Sequence, residues 1–262
     1  MSVIAIQLME GFFNRVSQYA WARGYAEKHG CQLQTNFWMG QRAFQLDDPP
    51  IEKPLPLREE MDMEKWDGEV NIQLIGWGQH QKSLTYSRAQ ARKWFTFRPE
   101  VATALEAVPH FEVAAHVRGG DYVGLDGFVA ISEESYLKAC DQYGIDRNKL
   151  RFICERHPLS VPELPATPED HTRSINENVT GLGFLTDFCV LMRADVLLRS
   201  NSTFGLWAGW LGDHKRVFSP DVRGLPTNGP RPQYQDAPFV EGNHMPTTPS
   251  YSGCSELHLR ET

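Results

Sequence analysis

The chain has 262 residues, 41% of them hydrophobic and 23% charged, which excludes disorder as its default state and allows one large domain or two of ordinary size. Its formal net charge is −7, from 26 Lys plus Arg against 33 Asp plus Glu. Such a field repels nucleic acid and anionic lipid, so no nucleic-acid partner is expected and any bound phosphate must be met by local cations.

Val3 to Leu8 (VIAIQL) is a short β-branched apolar run that predicts a strand. A helix from Asn14 to about His29 follows, closed by Gly30, and then a second strand over Gln32 to Phe37. Together they make a βαβ unit. From Gln45 to Lys65 the DDPP run, Pro54, Pro56 and many acidic residues predict an irregular insertion with at most a short helix. Val70 to Trp77 (VNIQLIGW) resumes strand character, Ser87 is placed to cap a helix through Phe95, and Pro99 and Pro109 bracket another helical piece. The strand Phe111 to Val117 opens a second lobe, which gives an N-terminal α/β lobe of residues 1–105.

That second lobe continues with a helix over Ser132 to Tyr143, a strand over Leu150 to Cys154, a Pro-rich loop through Gly183 and a helix over Phe184 to Ala194. A strand from Asp195 to Arg199, the stretch Ser200 to Leu211 and a last strand from Arg216 to Ser219 complete it. Strands alternating with helices predict a mainly parallel sheet in a C-terminal lobe of residues 106–225, and the Pro-, Gly- and polar-rich residues 226–262 predict an irregular tail.

His116 to Tyr122 (HVRGGDY) lies where a strand ends and a Gly-rich loop starts, at the carboxyl edge where ligands of open α/β sheets collect. An Arg there can fork onto two phosphate oxygens while Gly119 and Gly120 let the backbone approach closely; the same residues also fit a solvated Arg and a Gly-Gly-Asp turn. SNSTFG begins just after DVLLR, so Ser200 to Thr203 start the following helix. Free N–H groups, hydroxyls and the positive dipole end suit an anion there, or else the serines simply cap the helix. Two anion sites on one sheet edge favour a diphosphate.

No Asp-x-Asp triplet is present, and Asp47-Asp48 runs straight into Pro49-Pro50. The charge of a leaving diphosphate therefore falls to Arg118 and helix N-terminal amides, with no metal or other cofactor expected. No HExxH pair, no CxxC spacing among five dispersed cysteines and no GxSxG argue against a zinc site, a disulfide framework and a serine hydrolase. The N-terminus lacks the marks of a signal peptide and no window approaches the roughly 18 apolar residues of a membrane span, so a cytoplasmic location is expected.

In this order the motifs resemble the GDP-fucose-dependent fucosyltransferases, closest to the α1,2 type. IQLMEGFFNRVSQYAWARGYA is similar to that family's opening strand, Gly-rich turn, Asn, Gln-Tyr and helix, and IGWGQHQKSLTYSRAQARKWFTF to its Gly-aromatic-x-Gln segment ahead of a Phe-containing helix. HVRGGDY resembles its His-x-Arg-Arg-x-Asp-Tyr signature, with Gly119 in place of the second Arg. TDFCVLMRADVLLRSNSTFGLWAGWL resembles its Asp-Leu-x-Leu-Met to Ser-Asn-Ser-Ser-Phe-x-Trp-Trp block. The opening turn reads Glu10-Gly11-Phe12-Phe13 where the family has Gly-Gly-Leu-Gly, and CERHP stands where the family has a Ser-Asp-Asp stretch. The resemblance covers roughly residues 3–220.

It implies an α/β, GT-B-like fold of two Rossmann-like lobes facing across a cleft, with the nucleotide sugar held mainly by the C-terminal lobe and the acceptor on the N-terminal side. It further implies that Arg118 holds the β-phosphate and stabilises departing GDP, that His116, Gly119 and Gly120 line the donor site, and that Asp187 contacts guanine. Ser200, Ser202 and Thr203 would cradle the diphosphate with Asn201 among the donor-binding residues, and Gly11, Asn14 and Gln18 would shape the N-lobe side.

An inverting transfer needs a base for the acceptor hydroxyl. Asp126 is the candidate, where the similar α1,6-fucosyltransferase run carries a Glu; it also reads as an exposed loop carboxylate. Asp121 would orient the loop or Arg118, and Glu155 is the reserve base. The implied reaction moves fucose from GDP-fucose to a hydroxyl of a glycan acceptor. Transfer from another GDP-sugar and nucleotide-sugar binding without catalysis are the alternatives. A lipid-linked acceptor leaves room for peripheral membrane contact.

Overall fold

Short β-branched runs alternating with longer helical segments resolve into two main, largely parallel sheets with helices between their strands, together with a two-stranded one. The computed structural model describes residues 1–118, 129–154, 182–223, 225 and 234–244. Within them the chain divides into two units, Met1–Ala102 and a second that begins at Thr103.

The first unit runs β1 (Val3–Ile6), α1 (Phe12–Lys28), β2 (Gln32–Thr35), α2 (Gly40–Ala43), β3 (Leu57–Glu59), α3 (Met63–Trp66), β4 (Ile72–Ile75) and α4 (Arg88–Trp94). α5 (Pro99–Glu106) carries the chain across the division. The sheet order is β2-β1-β4-β3, all parallel. Ile4, Ala5 and Ile6 are buried in the central β1, as expected of a parallel strand covered on both faces.

Local chemistry fixes the helix ends. Gly30, at φ +64°, closes α1 in a Schellman turn, its N–H donating to the Glu27 carbonyl (3.3 Å) and that of Cys31 to Ala26 (2.8 Å). Ser87 and Gln90 form a reciprocal capping box at the start of α4. The acidic, Pro-rich stretch that composition marks as irregular contains β3, which pairs in parallel with β4. Leu-Arg-Glu carries no apolar alternation; its strand conformation is imposed by the ladder of β4.

The second unit runs β5 (Val113–Val117), β6 (Ala130–Ile131), α6 (Glu133–Tyr143), β7 (Leu150–Cys154), α7 (Leu185–Arg193), β8 (Val196–Leu198), α8 (Thr203–Leu211), β9 (Arg216–Pro220), β10 (Tyr234–Gln235) and β11 (Phe239–Glu241). Its main sheet has the order β11-β9-β8-β5-β7, parallel except for β11. Val113, Ala115, Val117, Tyr136, Phe218 and Phe239 belong to its core. The segment beyond residue 225 is therefore not wholly irregular: β10 pairs with β6 and β11 with β9. Two- and three-residue strands are too short to show a period in the sequence, and each takes its form from the strand it joins.

Candidate functional site

In the main sheet of the second unit the chain passes from β5 to β7 on one side and later returns to β8 on the other. Connections thus leave β5 and β8 in opposite directions, which opens a crevice at their carboxyl ends where doubly wound sheets take their ligands. The segments that emerge there are His116 to Arg118 and Arg199 to Thr203.

Those two segments are hydrogen-bonded together. His116 is 5% exposed, and its Nδ1 lies 2.7 Å from Ser200 Oγ and 3.5 Å from Ser202 Oγ. The two hydroxyl oxygens are 3.0 Å apart. Ser202 caps α8 by accepting the Gly205 N–H at 3.4 Å, while the imidazole stacks on Phe204 with centroids 4.8 Å apart. Tyr136 donates its hydroxyl to the His116 carbonyl at 2.8 Å.

Burial, reinforced by the nearby cations of Arg118 and Arg199, pushes the His116 imidazole down to about 3, so the ring is neutral at physiological pH. Ser202, having accepted the Gly205 N–H, can donate to Ser200, and Ser200 to Nδ1. On that pattern we assign the ring proton to Nε2.

Asn201 sits between the two serines, 3% exposed, and neither its Oδ1 nor its Nδ2 has a hydrogen-bond partner among the described residues. Each unsatisfied buried amide group costs about 1–3 kcal/mol, so this side chain is set for a polar ligand. Thr203 is the first residue of α8 and Arg118 is half-buried just beyond β5.

Arg199 carries no site role in the sequence reading, yet it is 1% exposed directly beneath this turn. It donates from Nε to Ser219 Oγ and from Nη1 to the Ser200 carbonyl, both at 2.9 Å. Desolvation lowers its guanidinium to about 9, which still leaves it charged at neutral pH. Asp187, in the first turn of α7, has no hydrogen-bond or ion-pair partner among the described residues, and burial raises its carboxyl to about 6.

The residues predicted on the N-terminal side lie in the first unit, in the segment that follows β1, the neighbour of β4 in the sheet. Asn14 Oδ1 accepts from Gln79 Nε2 at 3.3 Å, tying the segments after the two strands. Gln18 is 1% exposed and spends both ends of its amide on the Met9 backbone, accepting at 2.9 Å and donating at 3.3 Å. Gly11 caps α1 at φ −63°, and an added Cβ there would meet nothing within 4 Å. The left-handed residue of that turn is Glu10, at φ +68°.

Glu60 is the other group missed in the sequence, hidden in an acidic run. It is 2% exposed and accepts the N–H groups of Trp77, Gly78 and His80 at 2.7, 2.9 and 3.1 Å, together with the Ser83 hydroxyl. Asp48 accepts from Tyr19 Oη at 2.7 Å and from Arg23 Nη1 at 2.8 Å, so the second of the paired aspartates serves packing within this unit. Gly119, Gly120, Asp121, Asp126 and Glu155 lie outside the described residues. Among the described residues no group of three or more His, Cys, Asp or Glu is disposed to hold a metal, and Cys31, Cys140, Cys154 and Cys189 are free thiols. No described helix is long and apolar enough to cross a membrane.

No protein-family model matches the sequence, and no curated protein matches it. The fold is that of solved fucosyltransferase structures. NodZ α-1,6-fucosyltransferase soaked with GDP-fucose aligns at a TM-score of 0.55 and 14% identity, over 92% of this chain and 99% of that one. Fucosyltransferase NodZ from Bradyrhizobium aligns equally well, at 0.55 and 14% over the same shares. A mutant of FUT1 from Arabidopsis thaliana in complex with GDP aligns at 0.51 and 12%, over 95% of this chain and 74% of that one. At these identities the likeness is one of fold.

Proposed function

We propose that this chain is an inverting glycosyltransferase that moves fucose from GDP-fucose to a hydroxyl of a glycan acceptor, without a divalent metal, its two units serving as the lobes of a GT-B enzyme. The observation that carries the reading is the buried, unpartnered Asn201 amide between Ser200 and Ser202, at a sheet reversal that also presents Arg118 and the start of α8. A diphosphate supplies an acceptor for Asn201 Nδ2, which has none among the described residues, beside the positive end of α8. The desolvated, unpartnered carboxylate of Asp187 matches the paired N–H donors of guanine. Further support comes from the shared fold, since NodZ was soaked with GDP-fucose and the FUT1 mutant was solved with GDP.

In the proposed reaction the bond from the sugar C1 to the β-phosphate oxygen breaks as the acceptor oxygen attacks from the opposite face, and the acceptor proton passes to a carboxylate, for which Asp126 is the proposed base. Arg118 and the α8 N-terminus neutralise the leaving diphosphate. A neutral His116 does not titrate with the reaction; it orients Ser200. Gly119, where the resembling family carries a second Arg, favours as second reading a different GDP-sugar donor.

A panel of GDP-sugars, with GDP release measured with and without glycan acceptors, tests both. Acceptor-dependent release from GDP-fucose supports the first reading; release from another donor supports the second; tight binding without release leaves a nucleotide-sugar-binding protein. Undiminished turnover in EDTA is expected, and loss restored by magnesium or manganese would overturn metal independence.

A further inference from the structure

Arg199 is a full positive charge, 1% exposed, whose hydrogen-bond partners are the Ser219 hydroxyl and the Ser200 carbonyl. No carboxylate pairs with it among the described residues, and the titratable groups that face it, His116 of β5 and Tyr136 of α6, are neutral at physiological pH. A buried cation without a counter-ion is costly, and a fold that keeps one has something negative to set against it. The turn whose carbonyl it holds follows β8 at the carboxyl edge of the sheet, beside the end of β5.

The peptide geometry says what that hold does. In a trans peptide the C=O and the following N–H point in opposite directions, and the described chain has no cis peptide bond. Drawing the Ser200 carbonyl inward onto Arg199 therefore turns the Asn201 N–H outward, away from the guanidinium.

The anchor is itself fixed. Ser219 Oγ accepts from Arg199 at 2.9 Å and from the His244 N–H at 3.1 Å, and donates to the Gly242 carbonyl at 2.5 Å, which exhausts its hydrogen-bonding capacity. Gly205 keeps the first turn of α8 close, since a Cβ there would lie 3.0 Å from Arg199 Cβ and 3.2 Å from His116 Nδ1.

We infer that Arg199 is a positioning residue for a diphosphate at the Ser200 to Thr203 turn: it fixes the peptide that presents the Asn201 N–H, and it supplies from beneath the turn a positive charge that the sequence lacks at Gly119. This rests on the reading of the site as one for a nucleoside diphosphate.

The test measures binding of inorganic pyrophosphate, GDP and guanosine to the full chain by calorimetry, for the wild type, Arg199→Lys, Arg199→Met and Ser219→Ala, with cooperative melting as the check on folding. Arg199→Met is expected to lose at least tenfold in affinity for pyrophosphate and GDP while keeping that for guanosine. Arg199→Lys keeps the charge and loses the two-point fork, so it should fall between. Ser219→Ala, which keeps the charge and frees Nε, should lose a few-fold and stands in if Arg199→Met does not fold.

Wild-type pyrophosphate affinity in a folded Arg199→Met, or in Ser219→Ala and Arg199→Lys together, overturns the inference alone, as does an equal loss for guanosine and GDP. A wild-type protein that binds neither pyrophosphate nor GDP overturns the reading of the site and the inference with it.

Discussion

His116 and Asp187 are displaced by burial in opposite senses on the proton scale, and their effects on stability oppose each other. The imidazole falls from 6.5 to about 3, so between those values the unfolded chain binds the extra proton and His116 makes stability rise with pH. The carboxyl rises from 3.8 to about 6, so in that window the folded chain holds the extra proton and Asp187 makes stability fall with pH. From about pH 4 to 6 the two nearly cancel. Asp187→Asn removes one of them, and its unfolding free energy, from urea titrations, is expected to climb relative to wild type by up to about 1.4 kcal/mol per pH unit across that window. A flat difference would show that Asp187 is not desolvated in the folded protein. Arg118→Ala should cost about 2–4 kcal/mol in the barrier, read as a loss in kcat/KM, if Arg118 meets charge that develops on the leaving diphosphate. Turnover near wild type removes Arg118 from that role.

Two serine caps separate helix stability from ligand binding. Ser87 and Ser202 each start a helix, and replacing either by alanine should cost about 1 kcal/mol of stability. Ser202 also belongs to the chain of hydroxyls that reaches His116, whereas Ser87 belongs to a capping box in the other unit. Ser202→Ala is therefore expected to weaken GDP binding and Ser87→Ala to leave it unchanged, by calorimetry. Glu60→Ala strands the three N–H groups after β4 and should destabilise its unit by roughly 3 kcal/mol, seen as a lower thermal midpoint.

Elements that organise themselves could be read in advance. Ser87 with Gln90, Gly30 after α1 and Ser132 before α6 carry their end signals locally, and β5 and β8 are apolar runs followed at once by motifs. That the HVRGGDY and SNSTFG motifs share one sheet edge could be read from their positions at strand ends, whereas the hydrogen bond of His116 with Ser200 could not. What stayed hidden depends on partners distant in sequence. β3 and β11 have no pattern of their own, Arg199 looks like the polar end of a strand until Ser219 is brought beside it, and Glu60 is one carboxylate in an acidic run until the segment after β4 folds onto it. At the β1 exit the sequence drew attention to Gly11, while the backbone puts the left-handed conformation on Glu10, a residue that offers no such hint.

Across the whole molecule, the proposed diphosphate contacts named here belong to the unit that begins at Thr103, because β5, β8 and α8 all lie within it. A ligand at a hundred times its Kd adds about 2.7 kcal/mol to the stability of the body that binds it. Native-state hydrogen exchange with saturating GDP should raise protection in β5, β8 and α8 by up to that amount, and unchanged protection there would refute the site.

The lone antiparallel strand of the main sheet also bears on how copies of the protein behave toward one another. Without β11, the five residues of β9 would offer a row of open backbone groups to any passing strand. Phe239–Glu241 pairs with Phe218 to Pro220 of that strand and leaves instead a border only three residues long, ended by Gly242 at φ +126° and carrying Glu241, which Arg216 holds at 2.9 Å. So short and charged a border is a poor template for strand addition. Its consequence is colloidal: the segment that composition would dismiss as a loose tail blunts the β9 side of the sheet against strand addition.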